Sequence, residues 1–174
     1  MPRTCKICKK KFEPKYNSVQ MVCSVACSYE YSKKEKSKSW KQKKKVLKED
    51  LKTRTDHLKE LQTIFNKWIR ETKEPTCISC GTDLRGRKYD AGHYRSVGSC
   101  PELRFEPFNV YPQCVHCNQY LSGNLIEYRK RLVKKIGLDK VEWLESDHQP
   151  KKYTVDQIKD LKKYYKDLLK QLKN

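Results

Sequence analysis

Apolar residues recur with helical spacing over most of the chain and lose it in one stretch. Leu47, Leu51, Arg54, Leu58, Leu61, Phe65 and Trp68 alternate four and three residues apart, a heptad-like seam with one basic interruption. This predicts a helix from about residue 45 to 73, stopped by Pro75. Such a seam either packs on its own chain or pairs with a second copy, so a homodimer is one expectation. Leu125, Tyr128, Leu132 and Ile136 predict a second helix over Ser122 to Ile136, with Gly137 as its C-terminal cap. Thr154 and Gln157 are spaced as a capping box. They head a last helix with Ile158, Leu161, Tyr165, Leu168 and Leu172 along one face. The acidic stretch Asp139 to Asp147 can take up a short helix. Residues 76 to 121 differ: Gly81, Gly86, Gly92, Gly98, Pro101, Pro107 and Pro112 break them into short strands and loops. The expected class is α+β, mostly helical.

Composition changes the picture of what holds the fold together. With 36% hydrophobic residues in 174, there is little material for one large core. Eight of the nine cysteines compensate by falling into close pairs. Cys5, Cys8, Cys23 and Cys27 form one set, and Cys77, Cys80, Cys114 and Cys117 form another. These spacings predict two structural Zn2+ sites of four thiolates each, the first on a hairpin too short to fold without metal. A disulfide scaffold would need an oxidising compartment and usually a secretory signal. The start Met-Pro-Arg-Thr-Cys-Lys has no apolar run. Cys100 is left over and reads as a plain thiol.

Forty Lys and Arg against 21 Asp and Glu give a net charge of +19, which points to a polyanion and first of all to nucleic acid. No apolar run approaches transmembrane length, so no membrane partner is expected. Charge is densest over residues 33 to 54, with eleven bases, three acids and no Gly or Pro. That run reads equally as a solvated charge block or as a helix, and Lys41, Lys43, Lys44 and Lys45 are its candidate DNA contacts. Of the histidines, His57 and His148 suggest surface roles, and His116 fills the space between Cys114 and Cys117.

The 33 residues between Cys80 and Cys114 make an unusually long insert for a simple zinc ribbon. They hold Asp90-Ala-Gly-His93 and Phe108-Asn109-Val110, and Asn118 directly follows Cys117. In this order the segment resembles the His-Asn-His (HNH) nuclease superfamily, a ββα-metal fold. There a His ends the first strand, an Asn lies in the loop, and a His or Asn metal ligand starts the helix. The resemblance implies a small zinc-bound core in which His93 is the general base, Asn109 braces the loop and Asn118 binds Mg2+ or Mn2+. Two positions depart from the pattern. Gly92 stands where an acidic ligand often precedes the His, leaving Asp90 as the second metal ligand, and Leu121 stands where a Lys is often found. Phosphate contacts then fall to Arg95 and Arg104.

Over its whole length the chain is similar to the phage lambda NinG (Rap) family of recombination endonucleases. Cys77-Ile-Ser-Cys80-Gly81, Asp90 through Arg95, Leu103-Arg-Phe105, Asn109, and Cys117-Asn118 through Leu125 carry that resemblance. It implies structure-selective cleavage of branched DNA, such as Holliday junctions and D-loops, in the cytoplasm of a bacterial host. The expected organisation is a zinc knuckle over 1–32, a lysine-rich helix over 33–75, the nuclease core over 76–136, and a helical region over 137–174. A non-catalytic zinc-dependent DNA-binding protein is the alternative. It would share the charge and the cysteines but has no need for His93, Asn109 and Asn118 in that order.

Overall fold

Strand β1 (Arg3–Thr4) pairs antiparallel with β2 (Lys11–Phe12), Arg3 opposite Phe12, and the turn between them carries Cys5 and Cys8. Helix α1 (Val25–Asp50) follows, with Ser24 as N-cap accepting from the Cys27 backbone N–H. No residue of α1 is buried. The lysine run is therefore solvated, as its charge requires, and also helical, because nothing in it breaks a helix. The computed structural model describes residues 1–17 and 19–172, which fall into two compact units that divide between Lys52 and Thr53. The ends of the expected 137–174 region, at 173 and 174, lie outside the described residues.

The helix expected over 45–73 is two helices. Asp50 ends α1, and α2 runs Arg54–Thr72 from a capping box at Thr53. The Thr53 hydroxyl accepts from the Asp56 N–H, and the Asp56 carboxylate accepts the Thr53 N–H at 3.0 Å. The Thr53 hydroxyl, donating to that carboxylate at 2.7 Å, and then the Thr53 N–H hold the Asp56 carboxyl below its usual range. The apolar spacing crosses the break unaltered, so periodicity alone could not show it.

In the second unit, α2 is followed by β3 (Tyr89–His93), β4 (Val110–Cys114), α3 (Leu125–Ile136), α4 (Leu138–Glu145) and α5 (Val155–Gln171). Strands β3 and β4 form an antiparallel pair, Tyr89 opposite Cys114 and His93 opposite Val110. Strand alternation gives this hairpin two apolar faces. Ala91 and Val110 join Leu58, Leu61, Phe65 and Ile69 of α2 and Ile158 and Tyr165 of α5. Tyr111 faces the other way, into a cluster with Ile78, Tyr128, Leu132, Val141 and Leu144. The hairpin is thus sandwiched, and α5 covers the Leu58-to-Trp68 part of the seam within the chain. Leu47 and Leu51 remain exposed. His57, expected at the surface, is buried on α2.

The capping box of α5 forms as the sequence indicates, Thr154 with Gln157, and Gly137 closes α3 at φ 88°. The start of α3 is three residues later than expected. Ser122, Gly123 and Asn124 all have positive φ (48°, 90° and 44°), so no helix can run through them.

Candidate metal centres and active site

In each cysteine set the four Sγ atoms lie within 4.8 Å of one another. Cys8 and Cys23 are 3.5 Å apart, Cys23 and Cys27 3.8 Å, Cys77 and Cys114 3.6 Å, and Cys80 and Cys114 3.9 Å. Four thiolates placed tetrahedrally at about 2.3 Å from Zn2+ stand roughly 3.8 Å apart. No disulfide joins any of the nine cysteines. The two tetrads could therefore hold structural zinc. In the second set, Cys77 Sγ accepts the Cys114 N–H and Cys114 Sγ accepts the Cys117 N–H, both at 3.4 Å, as suits a thiolate. Gly81 turns that knuckle at φ 79°, donating to the Cys77 carbonyl at 2.9 Å. Cys100 belongs to neither set: it is buried, and its Sγ accepts from Arg95 Nε at 3.3 Å.

The hairpin that ends at the second tetrad carries the polar residues. Asn109 is fully buried and braces the loop between the strands. Its Oδ1 accepts the Arg95 N–H at 2.7 Å, and its Nδ2 donates to the carbonyls of Arg95 (3.0 Å) and Leu103 (3.1 Å). His93 Nε2 lies 3.0 Å from the Arg104 carbonyl oxygen, which can only accept. The proton must then sit on Nε2, leaving Nδ1 with a free lone pair. Burial lowers the pKa of His93 from 6.5, only partly opposed by this bond, with the Arg104 charge adding to the lowering. The ring is neutral at pH 7.

Asp90 and Asn118 meet. The Asp90 Oδ2 accepts from Asn118 Nδ2 at 2.9 Å and from Gln119 Nε2 at 2.8 Å. Strand alternation sets Asp90 and His93 on opposite faces of β3, about 10 Å apart along it at ~3.3 Å per residue. Asp90 thus turns toward Asn118 and Gln119, which follow β4, while His93 turns toward the Arg104 carbonyl. Gly92 explains why no acidic residue precedes His93. A Cβ there would stand 2.0 Å from Gln113 Oε1, and Gln113 is locked in place by donating to Ser79 Oγ and the Gly123 carbonyl. The Gly92 carbonyl in turn accepts from Tyr128 Oη at 2.9 Å. Asp90, two residues earlier, is on the same face as Gly92 and has room.

The arginines named from the sequence divide. Arg104 is half-buried, its Nε donating to Gln62 Oε1 at 2.7 Å, and burial lowers its pKa. It shapes the His93 pocket through its carbonyl. Arg95 is partly exposed beside the loop. Lys41, Lys43, Lys44 and Lys45 are all exposed on α1. His116 is exposed and stacks at 6.1 Å on Tyr120, while His148 contacts Trp143 and bonds its carbonyl at 2.8 Å. Sequence reading missed Lys73, just past α2. Its ammonium donates to the Pro107 carbonyl and to the Val110 carbonyl at 2.7 Å, and lies 3.3 Å from the centroid of the Tyr111 ring. Burial pulls its pKa down from 10.5 to about 7, Glu106 opposing and Lys135 adding to the fall. A lysine before Pro75 gives no sequence signal of such a role. Gln119 was also missed, since nothing in sequence ties it to Asp90.

The geometry defines a class: a strongly basic α+β protein with two cysteine tetrads, the second closing a hairpin with a buried polar site. All of residues 1–174 match the family described as Bacteriophage Lambda NinG protein. The chain is 38% identical to protein ninG of Escherichia phage lambda and 38% identical to that of Salmonella phage P22. It is 37% identical to protein ninG of Escherichia phage 933W. Each alignment covers 99% of this chain and 94% of the relative. The protein belongs to the NinG family. No solved structure gives a significant match. Among the described residues, no helix is long and apolar enough to cross a membrane.

Proposed function

We propose that this protein is a metal-dependent DNA endonuclease of the HNH type that cuts branched recombination intermediates such as Holliday junctions and D-loops. The meeting of Asp90 with Asn118 beside the strand that ends in a neutral, tautomer-fixed His93 carries the reading. Asp90 offers a carboxylate oxygen and Asn118, with its amide turned, a carbonyl oxygen. This is the hard donor set of a Mg2+ or Mn2+ site that keeps several waters. When bound, such a cation neutralises charge growing on the phosphate and the leaving oxygen.

The chain's own residues do the rest. His93 takes the proton of the attacking water at Nδ1, while the Arg104 carbonyl holds Nε2–H and so fixes the ring. Asn109 keeps the loop from moving, and the +19 charge gathers the polyanion. Branched DNA as substrate follows the family resemblance.

The test compares nicking of a four-way junction, a linear duplex and a single strand in Mg2+. His93→Ala should lower the junction rate roughly 10²- to 10⁴-fold with junction binding retained. Because burial depresses the pKa of His93, the acid limb of the parental rate profile should lie below pH 6.5. If His93→Ala cuts at the parental rate, the non-catalytic DNA-binding reading, which the charge and tetrads support equally, takes its place.

A further inference from the structure

Helix α1 is 26 residues long, none of them buried, and holds nine lysines against four acids. A helix with no core to cover has its chemistry on its surface. Tyr29, Lys33, Lys36, Trp40, Lys43 and Leu47 are spaced four and three residues apart in turn, which places them on one face. The Tyr29 and Trp40 side chains are 69% and 64% exposed. They are eleven positions apart, about three turns, so they point the same way roughly 16 Å apart along the axis. Lys33 and Lys36 stand between the two rings, and Lys43 and Lys44 lie just past the second.

We propose that this face of α1 binds single-stranded nucleic acid, with Tyr29 and Trp40 stacking on unpaired bases while Lys33, Lys36, Lys43 and Lys44 hold the phosphates. Phosphate contacts from lysine alone do not distinguish single strands from duplex. Aromatic rings do, because only an unpaired base has a free face to stack on, and every base has one. A second copy of the helix fits this face poorly. Its seam would set Lys33, Lys36 and Lys43 at core positions, where like charges repel. An anionic lipid surface would accept the lysines but does not call for two rings spaced three turns apart. The inference rests on reading the ligand as nucleic acid, though not on cleavage, and it assigns α1 the unpaired positions of a branched substrate.

The experiment measures affinity of the full-length, zinc-loaded chain for a labelled oligo-dT and for a duplex of equal length. Tyr29→Ala and Trp40→Ala should each weaken oligo-dT binding about 5- to 150-fold, as expected for loss of one stacked base, and leave duplex binding unchanged. Trp40→Phe should restore most of the loss. Lys36→Gln with Lys43→Gln should weaken both ligands and flatten the salt dependence. The proposal is overturned if the alanine variants bind oligo-dT like the parent, or lose both ligands equally. It is also overturned if they abolish binding to phosphatidylglycerol vesicles or convert a dimer to a monomer while oligo-dT affinity stays put. The His93→Ala variant separates the two readings. Stacking intact with a cleavage rate that ignores His93 sinks the nuclease alone, and His93-dependent cleavage with aromatic-independent binding sinks this inference alone.

Discussion

The two cysteine tetrads share a plan and occupy opposite surroundings. Around the first, the strands are two residues long, and Cys5 is the only buried residue among those described in residues 1–52. The second has Cys77 and Cys117 buried beside Leu84, with the five-pair hairpin and two apolar clusters built on it. Even the knuckle turns differ. Both need a left-handed residue after the second cysteine, and the second set supplies Gly81 at φ 79° where the first supplies Lys9 at φ 63°. A tetrad without a core must be the core; a tetrad beside one is a staple on a fold that apolar packing already specifies.

Metal removal should expose this contrast most strongly. Structural zinc contributes on the order of 10–16 kcal/mol in small metal-dependent domains, far more than a hairpin of two-residue strands can replace. Cys8→Ser should therefore erase amide dispersion from residues 3–27. Cys80→Ser should lower the melting temperature of the second unit but leave the α2–α5 contacts in place. Equal loss of structure in both variants would remove the distinction. A packed core should also feel a single methyl. Gly92→Ala pushes a Cβ into Gln113 and should cost about 1–3 kcal/mol or more, whereas Gly98→Ala, whose Cβ would meet only Ser96 Oγ at an ordinary 3.9 Å, should cost little. Chemical denaturation of the two variants decides this, and matching midpoints would count against it.

Lys73 tests how dry the second unit is. Its folded pKa lies below its unfolded one, so between about pH 7 and 10 the unfolded chain binds more protons. Stability should rise across that window by at most about 1.4 kcal/mol per pH unit, and Lys73→Met should flatten the rise. A slope that Lys73→Met leaves unchanged would place the ammonium in water. The smallest effect is in the turns. Lys9→Gly relieves a left-handed lysine and should stabilise zinc-loaded protein by roughly 1 kcal/mol, while Gly81→Ala should destabilise it. Thermal shifts of the same sign for both would show that the two turns are not equivalent.

Local chemistry was legible where one residue dictates one bond. The Thr154–Gln157 cap, the Gly137 stop and both tetrads could be read from spacing because each needs particular side chains at fixed intervals. The break at Thr53 has the same kind of signal in Thr-Arg-Thr-Asp, but the seam from Leu51 to Leu58 runs straight across it. In the candidate site, His93 ends β3, Asn109 lies directly before β4, and Asn118 reaches Asp90 from the short turn before α3. What spacing could not give was the tertiary context: Gln113 closing the position at Gly92, Lys73 under the loop, and Arg104 turned inward to Gln62. These depend on residues dozens of positions apart.

Asn109 has one more consequence, visible in time more than in geometry. Its backbone carbonyl accepts the Tyr94 N–H at 2.8 Å, and its side-chain oxygen accepts the next amide, that of Arg95. Two successive amides in an otherwise irregular loop thus depend on a single residue. Neither can exchange with deuterated water until Asn109 lets go, and when it does both become free in the same opening event. Their exchange should be slow and matched, a paired clock for how often the loop beside His93 comes apart.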